Sequence, residues 1–262
     1  MNTTTIVICA LVVLTVIFFL VQNRSSVTTP TITRIPTITM IPTTTRMPTT
    51  TPTPTRRPMS NNQLIVACTI ENMIYSKKNL DSPWEGPYGG GMRKVIQLDD
   101  GTVVGVEFKQ FWTRPKLTDI NWTGLNSIYD VFYATQLNNG AILGIGGMDL
   151  QVYIREKLKE GCVCPLPNFC CCNAIIQLND GRFLGVGTDN QLYIKNNIAD
   201  PWGGTGWNPQ EILDIAQQRD GTLLGVGKDN LLYKRNNLTE QTWIKVPNEN
   251  SLKIRSVSVF NY

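Results

Sequence analysis

The sequence predicts an all-β fold, a five-bladed β-propeller, and three observations predict it. A unit recurs about every forty residues. Its internal patterning is that of short strands and tight turns. The first copy lacks an opening strand that the C-terminus can supply. The unit is plainest in AIIQLNDGRFLGVGTDNQLYIKNNIADPW from Ala174 and DIAQQRDGTLLGVGKDNLLYKRNNLTEQTW from Asp214. Weaker copies open at Val95 and Val131, and a headless one at Gln63. A unit this short cannot bury a core alone, so the copies must stack.

Within one copy the elements follow in order. Ile175–Leu178 and Phe183–Val186 are apolar runs around Asn179-Asp180-Gly181, a hairpin signal because glycine readily takes positive φ and Asn or Asp tolerates it. The turn at Thr188-Asp189-Asn190 leads to a third strand over Gln191–Lys195, and the Trp202 segment offers a fourth. Tyr75, Trp112, Tyr153, Tyr193 and Tyr233 occupy one slot, which gives five copies. The boundaries read 63–94, 95–130, 131–173, 174–211 and 212–250, with a closing strand in 251–262. Lys253–Phe260 (KIRSVSVF) alternates like an opening strand and is expected to complete the blade begun at Gln63, leaving no exposed sheet edge. Gly105, Gly144, Gly185 and Gly225 share a slot, read as close backbone approach between blades.

An apolar strand, D-G, L-x-G-V, a D-N turn, L-Y-K and a downstream Trp resemble the blades of tachylectin-type (tectonin-like) propeller lectins. The resemblance covers about Gln63 to Phe260. It implies a five-bladed propeller and carbohydrate binding at repeated inter-blade sites. The repeat here is shorter, and the paired prolines of those lectins before the Trp are missing.

The first sixty residues stand outside the repeat: a tail (1–5), an apolar segment (6–22) and a Thr/Pro tract (23–60). Ile6–Val21 is an unbroken apolar stretch, about 24 Å long as a helix at ~1.5 Å per residue. No small residues precede a cut after Phe18-Phe19-Leu20-Val21, which favours an uncleaved transmembrane signal-anchor over a removed signal peptide. Pro30, Pro36, Pro42 and Pro48 mark a six-residue period in a Thr-dense stalk, extended and of mucin-like composition. Arg24, Arg34, Arg46, Arg56 and Arg57 are the only charged side chains before Glu71, which leaves 19 basic against 20 acidic groups beyond them. The net +4 therefore belongs to the stalk and gives no argument for nucleic acid as a partner. Positive-inside bias would keep that arginine-bearing side cytosolic. The stalk composition, the cysteines and the sequons at Asn23, Asn121 and Asn237, candidate glycosylation sites, favour a lumenal or extracellular propeller on a single-pass membrane protein, or one on a virion surface.

Cys162, Cys164, Cys170, Cys171 and Cys172 crowd one loop where the third copy lacks its Trp. A disulfide-stapled loop in an oxidising compartment is the leading reading, with the odd thiol left over, paired to Cys68 or bridging another chain. A thiolate metal site and reduced or acylated thiols are the alternatives; the spacing matches no standard zinc knuckle and no histidine is present.

Asp189, Asn190, Asp229 and Asn230 are repeated turn residues and secondary candidates for ligand contact. Trp84, Trp122, Trp202 and Trp243 close four copies, where packing competes with a sugar-stacking role. Trp207 lies outside the slot and reads as an exposed aromatic. The ligand candidates are Trp84, Trp202, Trp207, Trp243 and the four turn residues. Catalysis is not expected: histidine is absent, Asp99, Asp100, Asp180 and Asp220 are turn residues, and Glu71, Glu107, Asp130 and Glu211 form no motif. No cofactor and no metal are expected. The chain reads as a membrane-anchored, lectin-like module for a glycan or surface protein, with a structural coat protein as the alternative and a glycoside hydrolase behind both.

Overall fold

A computed structural model describes residues 62–107, 110–125, 131–147, 150–158, 172–204, 211–247 and 252–262. The apolar segment, the stalk and Asn23 lie outside the described residues, as do Trp207, Asp130, Cys162, Cys164, Cys170 and Cys171.

Among the described residues the regular elements are strands. The first sheet holds β1 (Gln63–Thr69) and β2 (Ile74–Lys77). The second holds β3 (Lys94–Gln97), β4 (Val103–Glu107), β5 (Gln110–Arg114) and β6 (Thr123–Gly124). In the third lie β7 (Val131–Gln136), β8 (Ile142–Gly146) and β9 (Val152–Arg155). The fourth holds β10 (Cys172–Gln177), β11 (Phe183–Gly187), β12 (Leu192–Lys195) and β13 (Gly203–Gly204). The fifth holds β14 (Ile212–Gln217), β15 (Leu223–Gly227), β16 (Leu232–Arg235) and β17 (Ile244–Lys245). The last strand, β18 (Ile254–Asn261), returns to the first sheet, whose order is β18-β1-β2. Every pairing is antiparallel, and each of the other sheets is a simple meander.

Closure follows from the innermost strands. β18 touches β3, β3 touches β7, β7 touches β10, β10 touches β14, and β14 touches β18. The five sheets therefore form a ring around a central channel, and the expected C-terminal closure is the observed one. Two sheets depart from four full strands. In the first, the bridges Ser76 to Glu85 and Met73 to Gly90 stand where a fourth strand would be. In the third, β7 to β9 are described, and the segment after them falls outside the described residues.

The core lies between blades. β4, β8, β11 and β15 are buried along their whole length, because each is covered on both faces by a neighbouring sheet. Ile65, Ala67 and Val257 of the first blade pack with Ala216 and Leu224 of the fifth. On the other flank Val66, Cys68 and Phe260 pack with Val95 and Val103 of the second. At roughly 1.5–3 kcal/mol per fully buried aliphatic or aromatic side chain, both flanks of the closing blade are held by burial. The D-G and N-G turns behave as expected: Gly101, Gly140, Gly181 and Gly221 all take φ between 85° and 95°. Asp180 Oδ1 accepts the Arg182 amide at 3.0 Å.

The glycine slot corrects one expectation. Gly105, Gly144, Gly185 and Gly225 do pair with Trp112, Tyr153, Tyr193 and Tyr233. The close approach, however, is made within a blade: by its own tryptophan at Gly105, Gly185 and Gly225, joined by Met92 at Gly105 and Ile212 at Gly225, and by Val131 at Gly144. A Cβ on Gly185 would sit 2.9 Å from the Trp202 ring, and one on Gly225 3.0 Å from that of Trp243.

Candidate functional site

The inner strands share a register, so equivalent residues form levels down the channel. Lys94, Tyr133, Ala174, Asp214 and Ser256 all pair with the residue that follows the glycine slot on the second strand, and they make one level. A bulge precedes that level in four blades, between Val131 and Tyr133, Cys172 and Ala174, Ile212 and Asp214, and on β18 between Ile254 and Ser256, opposite Thr69 and Cys68. Bulges of this kind re-aim a side chain.

At this level Lys94 donates from Nζ to both carboxylate oxygens of Asp214, at 2.8 and 3.1 Å, and to the Val257 carbonyl at 2.6 Å. Asp214 in turn accepts the Val257 amide at 2.7 Å. Both charged side chains are buried. The Lys94 ammonium also lies 4.7 Å from the centre of the Tyr133 ring. Burial, and then the neighbouring Asp214 carboxylate, hold the Tyr133 phenol well above its ordinary pKa. Its hydroxyl is buried without a well-formed hydrogen bond. This arrangement is the floor of a cavity of about 430 Å³ lined by all five inner strands.

The rim of the cavity is a belt of amides. Gln97, Gln136, Gln177 and Gln217 end the inner strands of blades two to five, and Gln63 on β1 takes that part in the first blade. Each carbonyl accepts a backbone N–H from the preceding blade: Asn261 to Gln97 (2.7 Å), Asp99 to Gln136 (2.9 Å), Asn138 to Gln177 (2.8 Å), Asn179 to Gln217 (2.8 Å) and Arg219 to Gln63 (3.0 Å). The belt closes on itself. Gln136, Gln177 and Gln217 also donate to the carbonyls of their turn glycines, which fixes their amide orientation. Its signal in the sequence is the Q-x-x-D/N-G spacing repeated in blades two to five.

A second repeated device involves the tryptophans. Lys77, Arg114, Lys195 and Arg235 lie over Trp84, Trp122, Trp202 and Trp243, at 5.3, 4.2, 4.9 and 5.4 Å to the ring centres. In the third blade Arg155 lies over Phe111 of the second at 5.2 Å. All five basic side chains are buried. Lys77, Arg114, Arg155 and Arg235 donate to backbone carbonyls of the turn that follows them. Burial pulls Arg114, Lys195 and Arg235 below their ordinary pKa. Of the tryptophans named as ligand candidates, Trp84 and Trp243 are buried and Trp202 is half-buried, so the structure places them in blade packing. In blades two, four and five the basic residue, the indole and the glycine come together.

The turn candidates hold their own loops. Asn190 and Asn230 take φ of 59° and 64°. Asp189 accepts the Gln191 amide at 3.0 Å and the Tyr193 hydroxyl at 2.6 Å, and the Tyr193 bond lowers its pKa. Asp229 accepts the Leu231 amide and the Tyr233 hydroxyl in the same way. Cys172 is buried at the start of β10, and Cys68 is a free thiol buried in the first blade. Asn121 and Asn237 are exposed. Among the acids, Glu211 is exposed beside Lys228, while Glu107 is buried on β4 with one oxygen unpartnered and its pKa raised by burial. Among the described residues, no three cysteine or acidic groups meet in a way that could hold a metal ion.

No family model and no curated protein matches the sequence. Solved structures do resemble the fold. One is a symmetrical protein described for its de novo evolutionary emergence under folding constraints, at 12% identity over 74% of this chain and 97% of that one, with a TM-score of 0.55. Another is a candidate gluconolactonase, at 8% identity over 76% and 81%, with a TM-score of 0.48. A third is PorZ, a surface component of the type-IX secretion system of Porphyromonas gingivalis, at 11% identity over 73% and 31%, with a TM-score of 0.42. The likeness is one of fold, and the described residues form an all-β, five-bladed propeller.

Proposed function

We propose that this chain is a membrane-anchored display module with a non-catalytic, ligand-binding propeller head, its partner a glycan or a surface protein. The observation that carries the reading is the polar recess at the glutamine end of the channel, to which every blade contributes. Sites that bind small ligands are concave, with volumes of roughly 300–1,000 Å³ and a few convergent polar groups. The buried carboxylate nearest the floor, Asp214, is bound by Lys94, so it is poorly placed for acid–base work. The apolar segment and stalk supply the tether, and the exposed sequons Asn121 and Asn237 suit a lumenal or extracellular head.

A glycan array probed with the full-length chain tests the reading. Saturable binding to a subset of glycans is expected, together with an endoglycosidase mobility shift of the membrane fraction. A blank array from folded, unglycosylated protein would favour a structural coat protein instead.

A further inference from the structure

We infer that the propeller has a single ligand site, the channel mouth, and that it takes a neutral polyhydroxy ligand such as a terminal sugar ring. The inference rests on the binding-module reading above and replaces its repeated clefts with one recess.

Charge decides the ligand class. Lys94 is the cation on the cavity floor, and its three donors go to Asp214 and the Val257 carbonyl, so none remains for an anion. At the rim one acid, Asp99, stands against one base, Arg219. A charged ligand would give up its hydration in a recess with no uncompensated partner, which is unfavourable. The rim offers neutral groups instead. Each belt glutamine uses its carbonyl and, in Gln136, Gln177 and Gln217, one N–H on the protein, and a primary amide has a second N–H to give. These amides are already oriented, so binding does not have to order them.

Below the rim the wall alternates. Ile96, Ile176 and Ala216 share one level with Thr135 and Ser258. An apolar wall beneath a ring of donors complements a sugar, which has C–H faces and hydroxyl edges. A cavity of about 430 Å³ admits one or two sugar rings. The inter-blade alternative is filled: the indoles of Trp84 and Trp243 are buried under Lys77 and Arg235.

The test uses the full-length chain in a detergent without a sugar headgroup, titrated calorimetrically with methyl glycosides of neutral hexoses and N-acetylhexosamines. Glucuronate and galactose 6-sulfate serve as anionic comparators. The expected result is one site per chain and preference for a neutral probe. Ala216→Phe and Thr135→Tyr, which narrow the mouth, should each weaken binding at least tenfold, whereas Trp202→Phe leaves it unchanged. Circular dichroism shows which variants fold, and the stoichiometry of the unaltered chain decides the point even if neither does. Several sites per chain, or loss on Trp202→Phe with the mouth variants unaffected, overturns the single mouth and leaves the binding module standing. Preference for the anionic probes overturns the ligand class. If no probe binds to folded protein and the array is also blank, the binding-module reading itself fails.

Discussion

Lys94 and Asp214 meet across the propeller from blades that are not neighbours, and they clasp the peptide of Val257 between them. The lysine bonds the Val257 carbonyl and the aspartate its amide, at 2.6 and 2.7 Å. One ion pair thus ties the second and fifth blades to the closing strand of the first. Removing one partner of a buried pair typically costs about 3–5 kcal/mol, because a charge is left unmatched. Asp214→Ala should therefore lower stability by about that much in urea denaturation, and Lys94→Met/Asp214→Leu should recover most of it. Equal losses in the single and double variants would count against this account.

The tryptophan slot predicts a stability defect in one blade. Trp243→Ala removes a buried indole from between Arg235 and Gly225 and is expected to cost about 3–5 kcal/mol. Gly225→Ala pushes a methyl to 2.9 Å from Ile212 and 3.0 Å from Trp243, and over-packing of that kind costs about 1–3 kcal/mol. Thermal and chemical unfolding of the two variants check both. A neutral Gly225→Ala would show that the indole can move aside.

Much of this fold could be read in advance, because blade architecture is written in local terms. The D-G turn, the alternation around it and the shared Tyr153, Tyr193 and Tyr233 slot depend on neighbours a few residues away. The headless first copy and the strand at Lys253–Phe260 even gave the closure. The channel could not be read so. Lys94 and Asp214 are 120 residues apart, and their pairing depends on how five inner strands register around an axis. The basic residue two places after each aromatic carries no local signal of burial. Only the stacked tryptophan and the turn carbonyls explain its burial. The belt glutamines likewise depend on a neighbouring blade, since each accepts a backbone N–H from the blade before it.

Alkaline pH gives a separable readout at Cys68. Burial pushes its thiol up to about 12 from an ordinary 9.0, so the folded protein keeps the proton that the unfolded chain releases. That contribution to stability is fully present below pH 9 and is lost as pH rises towards 12, at about 1.4 kcal/mol per pH unit. The phenol of Tyr133, also raised, adds its own loss only above its ordinary 10. Urea melts between pH 9 and 10 should show a steeper decline for the unaltered chain than for Cys68→Ala. Parallel slopes would refute the assignment.

Deleting residues 252–262 tests the ring directly. β18 is the inner strand of the first blade and touches both flanking inner strands. Its loss exposes the edge of β1 and the apolar flanks at Ile65, Val66 and Ala67. The truncated chain should be aggregation-prone and readily digested by protease. Soluble, protease-resistant protein after that deletion would contradict closure by this strand.

The partnership of β1 with β18 also sets a timetable for synthesis. Gln63 and Asn261 are bonded side chain to side chain although 198 residues separate them. At about 5–20 residues per second, a growing chain would wait roughly 10–40 s between making the first strand of the propeller and making its partner. Throughout that interval four blades can form as local hairpins, but the edge of β1 has nothing to pair with. This blade therefore closes last, and any factor that shields exposed strand edges has its window of action there, before the last strand arrives.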